Sequence, residues 1–265
     1  MSALRVGRIA ALNMYPIYHH LERAGTADME FTDGLPAALN AAVLDGRLDV
    51  SAMSSIEYAR HAHRLRLIPV ASIAADGAID SIQLFSRVPV DEVQSVAVTP
   101  HSATSVALLR VLLGPEPRFE TLTDPPEAAL GKVDAVLLIA DEALTGLRGT
   151  LGPHRTDLAA AWHDLTGLPM VFAVWAARED VARTRPDEIE AFGRLLAEAR
   201  ARYEAEAAEV VAAAAARFPF PEHEIRDYFR RLRYDFGPAE RAGLERFLER
   251  AQAAGELALV PALAA

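Results

Sequence analysis

Asn13 occupies a position at which a polar side chain can hold a ligand. It follows the apolar, strand-like residues 4–11, and Pro16 after it favours the start of a helix. In open α/β sheets, ligands bind in the crevice beyond the carboxyl ends of the strands. The Asn13 amide both donates and accepts hydrogen bonds. Asparagine and proline are also ordinary turn residues, so this segment predicts either a binding position or a simple strand-to-helix turn.

A second junction of this kind contains Ser54, Ser55 and Ile56, which follow the apolar residues 48–53. Ser54 and Glu57 have the spacing of a capping box, in which each side chain satisfies the other residue's backbone N–H. The backbone N–H groups of Ser55 and Ile56 remain free at such a helix start and attract a carboxylate. The junction therefore predicts helix capping, carboxylate binding, or both.

A third junction contains Ser102, Thr104 and Ser105, which follow the strand-like residues 95–98. Ser102 is a candidate N-cap of the helix that follows. The backbone amides of that helix start, with the hydroxyls of Thr104 and Ser105, form a candidate anion site. Together with the junction at residue 54, it predicts a cleft that holds the two carboxylates of a dianion.

Two more polar residues are associated with apolar, strand-like segments, one within a segment and one just after it. Ser81 belongs to the apolar segment 79–85, where it points either outward or into a cleft between lobes. Asp141 follows the apolar residues 133–139 and is a candidate helix N-cap. It is equally a candidate general base or hydrogen-bond acceptor for a ligand.

Several chemistries have no motif in this sequence. The adjacent pair His19 and His20 and the pair His61 and His63 lack the spacing that places two ligands on one helix face, so we expect no metal. No P-loop, Gly-x-Gly-x-x-Gly fingerprint or Gly-x-Ser-x-Gly elbow is present. The sequence therefore predicts neither a nucleotide cofactor nor a serine-triad hydrolase.

The composition limits the partners and the compartment. The 265 residues are 51% hydrophobic and contain no cysteine, which excludes disulfides and cysteine-ligated metals. A formal net charge of −10 opposes binding to nucleic acid. No apolar stretch approaches the ~20 residues of a membrane span, and no secretion signal is visible. We therefore expect a cytoplasmic protein that contacts neither nucleic acid nor membrane.

Strand-like and helix-like segments alternate up to residue 176 and predict an α/β protein with a mainly parallel sheet. Three helices follow, each beginning at a proline, and we expect them to provide packing support: residues 186–216, 221–232 and 238–253.

This order of segments predicts two lobes. Lobe I is discontinuous and consists of residues 1–88 plus 176–265, and lobe II, residues 89–175, is inserted into it. The sequence does not indicate the oligomeric state.

Taken together and in order, these segments resemble the chorismate dehydratases of the futalosine route to menaquinone. The resemblance spans roughly residues 4 to 178 and is carried by the following segments: Val6-Gly7 with Leu12-Asn13 and Pro16; Leu48-Asp49 with Ser54-Ser55-Ile56-Glu57-Tyr58; the segment of Ser81; Ser102-Ala103-Thr104-Ser105; Asp157-Leu158 with Trp162; Thr166-Gly167-Leu168-Pro169; and Phe172-Ala173-Val174-Trp175. Two residues depart from the family pattern: Met14 replaces a frequent serine, and Ala140 replaces a usual glycine.

The resemblance implies a bilobal, periplasmic-binding-protein-like fold of type II that acts as an enzyme inside the cell. It implies conversion of chorismate into 3-[(1-carboxyvinyl)oxy]benzoate and water, with no cofactor. The conserved asparagine and the cleft serine of the family correspond to Asn13 and Ser81. We hypothesise that the substrate's own side-chain carboxylate takes the ring proton, while these two residues orient the reacting groups and assist the departing hydroxyl.

Three alternatives share this fold. A dihydroxynaphthoate synthase of the same pathway places a catalytic histidine where this chain has Asp141, which favours the dehydratase. A solute-binding protein of a transporter requires a secretion signal, and the effector domain of a transcription regulator requires a helix-turn-helix segment. We identify neither feature in this sequence.

Overall fold

The computed structural model describes residues 3–24 and 28–263. Eleven strands lie within these residues: β1 (Leu4–Ile9), β2 (Met29–Gly34), β3 (Val50–Ser54), β4 (Leu65–Ala75), β5 (Ile82–Ser86), β6 (Ser95–Val98), β7 (Arg118–Thr121), β8 (Ala135–Ile139), β9 (His154–Asp157), β10 (Met170–Arg178) and β11 (Leu232–Arg233).

Eleven α-helices lie in the same described ranges: α1 (Tyr15–Leu21), α2 (Pro36–Leu44), α3 (Ser55–Arg60), α4 (Ala103–Leu113), α5 (Pro126–Leu130), α6 (Ala140–Arg148), α7 (Leu158–Thr166), α8 (Glu179–Thr184), α9 (Pro186–Ala215), α10 (Glu222–Phe229) and α11 (Pro238–Ala253). Over the residues described, no helix combines the length and the apolar composition that a bilayer crossing requires.

The strands form two mixed sheets, with the orders β11-β4-β10-β3-β1-β2 and β7-β6-β8-β5-β9. Parallel pairs join β1 to β2 and β3, and β6 to β7 and β8. The remaining pairs, around β4, β5 and β10, are antiparallel. The expectation of a mainly parallel sheet is therefore wrong. The antiparallel strands flank the two places where the chain passes between the sheets. A parallel pair needs a crossover connection within one sheet, whereas each of these passages leads from one sheet to the other.

The passages between the sheets are residues 76–81, between β4 and β5, and residues 158–169, between β9 and β10. Strand β5 belongs to the second sheet and β10 to the first. A division of the protein into lobes at 88/89 and 175/176 stays a prediction. Sheet membership favours boundaries closer to the two passages.

The core extends across both sheets and into the C-terminal helices. Trp175 of β10 lies between Tyr18 and Phe192, with ring centroids 5.7 and 5.6 Å away. Trp162 of α7 contacts Phe247 of α11 at 6.1 Å. Both tryptophans are fully buried, which confirms their expected place in the core, and the C-terminal helices pack against the sheets as expected.

Gly243 of α11 lies directly against the backbone of Pro169. A Cβ atom at residue 243 would lie 2.1 Å from the Pro169 carbonyl oxygen. The same oxygen accepts a hydrogen bond from the Trp162 indole at 3.2 Å. The close contact between helix α11 and the second passage is therefore possible only with glycine at residue 243, which has no side chain.

We expect Gly243→Ala to lower the free energy of unfolding by about 3 kcal/mol, because the overlap involves a backbone atom that cannot rotate away. Gly193→Ala, in α9, is the matched control. Its Cβ would meet Ile68 at 3.4 Å, an ordinary contact, so this variant is expected to be neutral or slightly stabilised. Urea unfolding of both variants measures the difference, and equal stabilities would contradict the close approach.

Ala140, the first residue of α6, has a left-handed backbone with φ 49°. Alanine in this conformation costs roughly 1–2 kcal/mol, a cost that glycine avoids. We therefore expect Ala140→Gly to raise the free energy of unfolding by about 0.5–1 kcal/mol, after the larger chain entropy of glycine is allowed for.

The control for Ala140→Gly is Ala201→Gly at an exposed position inside α9. There the same exchange is expected to lower the free energy of unfolding by about 1 kcal/mol. Opposite signs for the two variants, measured in the same urea titration, support the strain at residue 140. A loss of stability in both variants would contradict it.

Candidate functional site

A cavity of about 470 Å³ opens between the carboxyl ends of the first-sheet strands and the second sheet. Six of the nine residues predicted from the sequence as site residues line it: Asn13, Ser54, Ser81, Ser102, Ser105 and Asp141. Much of the rest of its wall is apolar and includes Ile73, Ile139 and Phe172. A few polar groups therefore face each other across an apolar space, the usual arrangement of a small-molecule site.

Asn13 lies in a single 3₁₀ turn, Leu12–Met14, between β1 and α1. Its amide oxygen Oδ1 is buried and has no hydrogen-bond partner. A buried acceptor without a partner costs about 1–3 kcal/mol, so such an atom calls for an explanation, and a role in binding or catalysis is one. The backbone of the turn is held from outside, because the Tyr234 hydroxyl donates to the Asn13 carbonyl oxygen at 2.7 Å.

Ser81 lies immediately before β5, in the first passage between the sheets, rather than inside a strand as predicted. It is buried, and its carbonyl oxygen accepts a hydrogen bond from the Ala140 N–H at 2.7 Å. The Asp157 carboxylate holds the surrounding chain. It accepts hydrogen bonds from five groups: the backbone N–H groups of Ile79 (2.9 Å), Asp80 (2.6 Å), Ala159 (2.9 Å) and Ala160 (3.0 Å), and Gln83 Nε2 (2.8 Å).

Ser54 takes part in a different contact from the predicted capping box. No side-chain cap forms at the start of α3. The Ser54 hydroxyl instead accepts from Asn40 Nδ2 at 3.2 Å, and Glu57 pairs with Arg60 at 2.7 Å. The capping box is absent because Asn40 of α2 takes the side chain of Ser54. The hydroxyl hydrogen of Ser54 remains able to donate into the cavity.

At the start of α4, Ser102 caps the helix as predicted. Its hydroxyl oxygen accepts from the Ser105 N–H at 3.2 Å, and its hydroxyl donates to Ser105 Oγ at 2.8 Å. Both side chains line the cavity. The Ser105 hydroxyl hydrogen is therefore left to donate to a ligand.

Three predicted residues do not line the cavity: Ser55, Ile56 and Thr104. The Ile56 N–H donates to Thr104 Oγ1 at 3.2 Å, and the Ser55 hydroxyl donates to the Val171 carbonyl oxygen at 2.8 Å. The starts of α3 and α4 pack against each other, so the Ile56 donor and the Thr104 acceptor satisfy one another. The predicted carboxylate donor at Ile56 is therefore engaged by Thr104, and Ser55 lies outside the cavity wall.

Asp141 lies in the first turn of α6, but its side chain does not cap the helix, so the predicted N-cap is wrong. Its Oδ1 accepts a hydrogen bond from the Leu12 N–H at 3.2 Å, which joins the first sheet to the second. Burial raises the pKa of the Asp141 carboxyl above its ordinary value, and the Leu12 hydrogen bond offsets part of the rise.

The charges around the cavity are unusual for an anion site. Its lining includes the acidic residues Asp33, Asp141 and Glu142, and His101 is the one basic side chain among the described residues that line it. An anion held there must therefore be bound mainly by hydroxyl and amide donors. His101 precedes the N-cap Ser102, and that position in a strand-to-helix junction is the sequence signal that could have identified it.

The C-terminal segments supply two tyrosines that the sequence analysis treated only as packing support. Tyr234 holds the Asn13 turn. The Tyr228 hydroxyl is buried next to Ser81 and has no partner in good hydrogen-bonding geometry. Burial raises the pKa of Tyr228. No sequence signal distinguishes these tyrosines, because the contacts join residues more than 140 positions apart.

Across residues 3–24 and 28–263, no three histidine, aspartate or glutamate side chains are grouped as metal ligands. His19 and His20 lie in α1 with ring centroids 5.0 Å apart, and burial lowers the pKa of both. They pack against α9, away from the cavity.

Comparison with known proteins identifies relatives over nearly the whole chain. The chorismate dehydratase of Thermus thermophilus is 34% identical over 255 residues, which cover 89% of this chain and 91% of that protein. The chorismate dehydratase of Campylobacter jejuni is 31% identical over 172 residues, covering 63% and 64% of the two chains.

Two solved structures show the fold. A protein from Archaeoglobus fulgidus has a TM-score of 0.77 at 19% identity and covers 96% of this chain and 98% of its own. A Candida albicans protein described as having the generic periplasmic binding protein fold has a TM-score of 0.72 at 11% identity, covering 98% and 92%. The predicted periplasmic-binding-protein-like α/β fold is confirmed, whereas its assignment to type II stays a prediction.

A family model described as menaquinone biosynthesis matches residues 4–253. This match and the two dehydratase relatives confirm the resemblance found in the sequence. The chain belongs to the menaquinone biosynthesis family, and it has chorismate dehydratases among its relatives.

Proposed function

We propose that this protein is a chorismate dehydratase, which converts chorismate into 3-[(1-carboxyvinyl)oxy]benzoate and water. The observation that carries the proposal is the buried, unpartnered amide oxygen of Asn13 in the same cavity as Ser81. One relative with this activity matches 89% of the chain, and a second matches 63% of it. We further propose that the protein acts in the cytoplasm, as the family resemblance implies.

The reaction requires placement more than a strong base. Loss of the ring hydrogen and the neighbouring hydroxyl makes the ring aromatic, and aromatisation supplies the driving force. In our proposal the substrate's side-chain carboxylate takes the ring proton, and Asn13 and Ser81 orient the reacting groups. Orientation alone can lower a barrier by ~7–11 kcal/mol. The apolar walls provide surroundings less polar than water, which strengthens the hydrogen bonds within the site.

Neutral donors hold the substrate carboxylates in this proposal. The hydroxyls of Ser54 and Ser105 have free hydrogens at the cavity wall, and His101 adds the one basic group. Hydrogen bonds to an ionised acceptor are roughly twice as strong as neutral ones. A dianion can therefore be bound without an arginine.

A solute-binding protein is the second candidate, because the fold is shared with the family of periplasmic binding proteins. It requires a ligand to be bound and released unchanged. The dehydratase requires turnover, so one incubation separates the two.

We expect the purified protein, incubated with chorismate and no added cofactor, to form the aromatic enol ether. Because the reaction removes one water molecule, mass spectrometry should detect a product about 18 Da lighter than the substrate. The control is the same incubation with heat-denatured protein. Tight binding of chorismate without this product would move the assignment to a solute-binding protein.

We expect Asn13→Ala to reduce kcat by about 100-fold or more, the usual effect of removing one group that positions or stabilises the reacting atoms. The variant removes a side-chain oxygen that has no partner in the protein, so its stability should change little. Gln94→Ala, which removes an exposed amide, is the control and should keep full activity. Full activity in Asn13→Ala would refute the role of this residue.

A further inference from the structure

Asp141 is a carboxyl group in the wall of the cavity, and neither helix capping nor orientation of the substrate explains its presence there. Its Oδ1 accepts from the N–H of Leu12, the residue before Asn13. The residue before it, Ala140, donates to the carbonyl of Ser81 at 2.7 Å. Two hydrogen bonds thus place Asp141 between the two residues that orient the substrate, and its side chain lines the same cavity.

The proposed reaction needs a proton at the departing oxygen, because hydroxide is a far poorer leaving group than water. Asn13 and Ser81 carry an amide and an aliphatic hydroxyl, neither of which is acidic near neutral pH. Tyr228 lies behind Ser81, but burial raises its pKa, so it holds its proton more firmly than a free tyrosine. Asp141, which is half-buried, is the carboxyl group that hydrogen bonds fix at this point of the cavity wall.

The surroundings of Asp141 favour its neutral form. No cation pairs with its carboxyl within the described part of the chain, and its one hydrogen-bond donor is the uncharged Leu12 N–H. The titratable groups that face it or share its cavity are Glu142 of α6, Asp33 at the end of β2, His101 before α4, and Tyr228 of α10. Burial therefore raises the pKa of Asp141.

We propose that Asp141 is the general acid of the dehydration, donating its proton to the hydroxyl that leaves the substrate. This inference rests on the proposed function. As the ring C–O bond breaks, its electron pair stays on the oxygen, which takes the Asp141 proton and leaves as water. The electron pair of the broken ring C–H bond completes the aromatic ring. The substrate carboxylate takes the ring proton, and that proton returns to Asp141 after turnover, so atoms and electrons balance without an oxidant.

The test uses Asp141→Asn, which keeps an oxygen for the Leu12 N–H and removes the acidic proton. We expect kcat to fall at least about 100-fold, within the range for loss of a general acid, and KM to change by less than about threefold. Asp164→Asn on the exposed side of α7 makes the same exchange away from the cavity and should keep wild-type kcat.

The pH dependence gives a second readout, which does not depend on the variant folding. A general acid must be protonated, so wild-type kcat is expected to fall tenfold for each pH unit above the raised pKa of Asp141. The Asp141→Asn variant should lack this alkaline limb. A variant kcat within threefold of wild type, or a flat wild-type profile above the ordinary range of aspartate pKa values, would overturn the proposal.

These outcomes separate the two proposals. Turnover by the wild type with full activity in Asp141→Asn overturns the general acid and leaves the dehydratase in place. No turnover by the wild type overturns both, because the acid is assigned to that reaction.

Discussion

The Asp157 carboxylate holds together the two places where the chain passes between the sheets. Its Oδ2 binds Ile79, Asp80 and Gln83 in and after the first passage, and its Oδ1 binds the first residues of α7 in the second. Five hydrogen bonds to one carboxylate fix both passages side by side. Ser81 lies in the first of them, so the position of its side chain depends on a residue 76 positions further along the chain.

The second constraint on the site is its shortage of positive charge. A dianion loses most of its hydration in a cavity with apolar walls, and buried charge is costly unless hydrogen bonds replace the water. The hydroxyls of Ser54 and Ser105 and the side chain of His101 are the groups available for this purpose. Acidic residues at the same wall would repel the ligand if ionised, so a neutral Asp141 also lowers the cost of binding. In the proposed mechanism, substrate binding and proton donation both depend on the protonation of Asp141.

The contacts across the two sheets explain which sequence-based expectations were confirmed and which were wrong. The helix start at Ser102 was predictable because an N-cap depends on residues three positions apart. The Ile56 amide was predicted to be free, but Thr104, 48 positions away, takes it. Strand β9 was not predicted, because its residues do not alternate between apolar and polar: His154-Arg155-Thr156-Asp157. The strand pairs only with β5, at the edge of its sheet. Tyr234 and Tyr228 reach the site only because α9, α10 and β11 fold back onto the first sheet.

The order and spacing of residues along the chain were enough to establish the α/β class and the family resemblance, and to select Asn13 and Ser81 as candidate site residues. These properties are local, because apolar runs, turn residues and caps act over a few positions. Three properties of the site depended on the folded chain: residues from both sheets line one cavity, the Asn13 oxygen has no partner, and Asp141 is half-buried. Each of these is set by groups that lie far away in sequence, and hydrogen bonding and desolvation respond to neighbours in space.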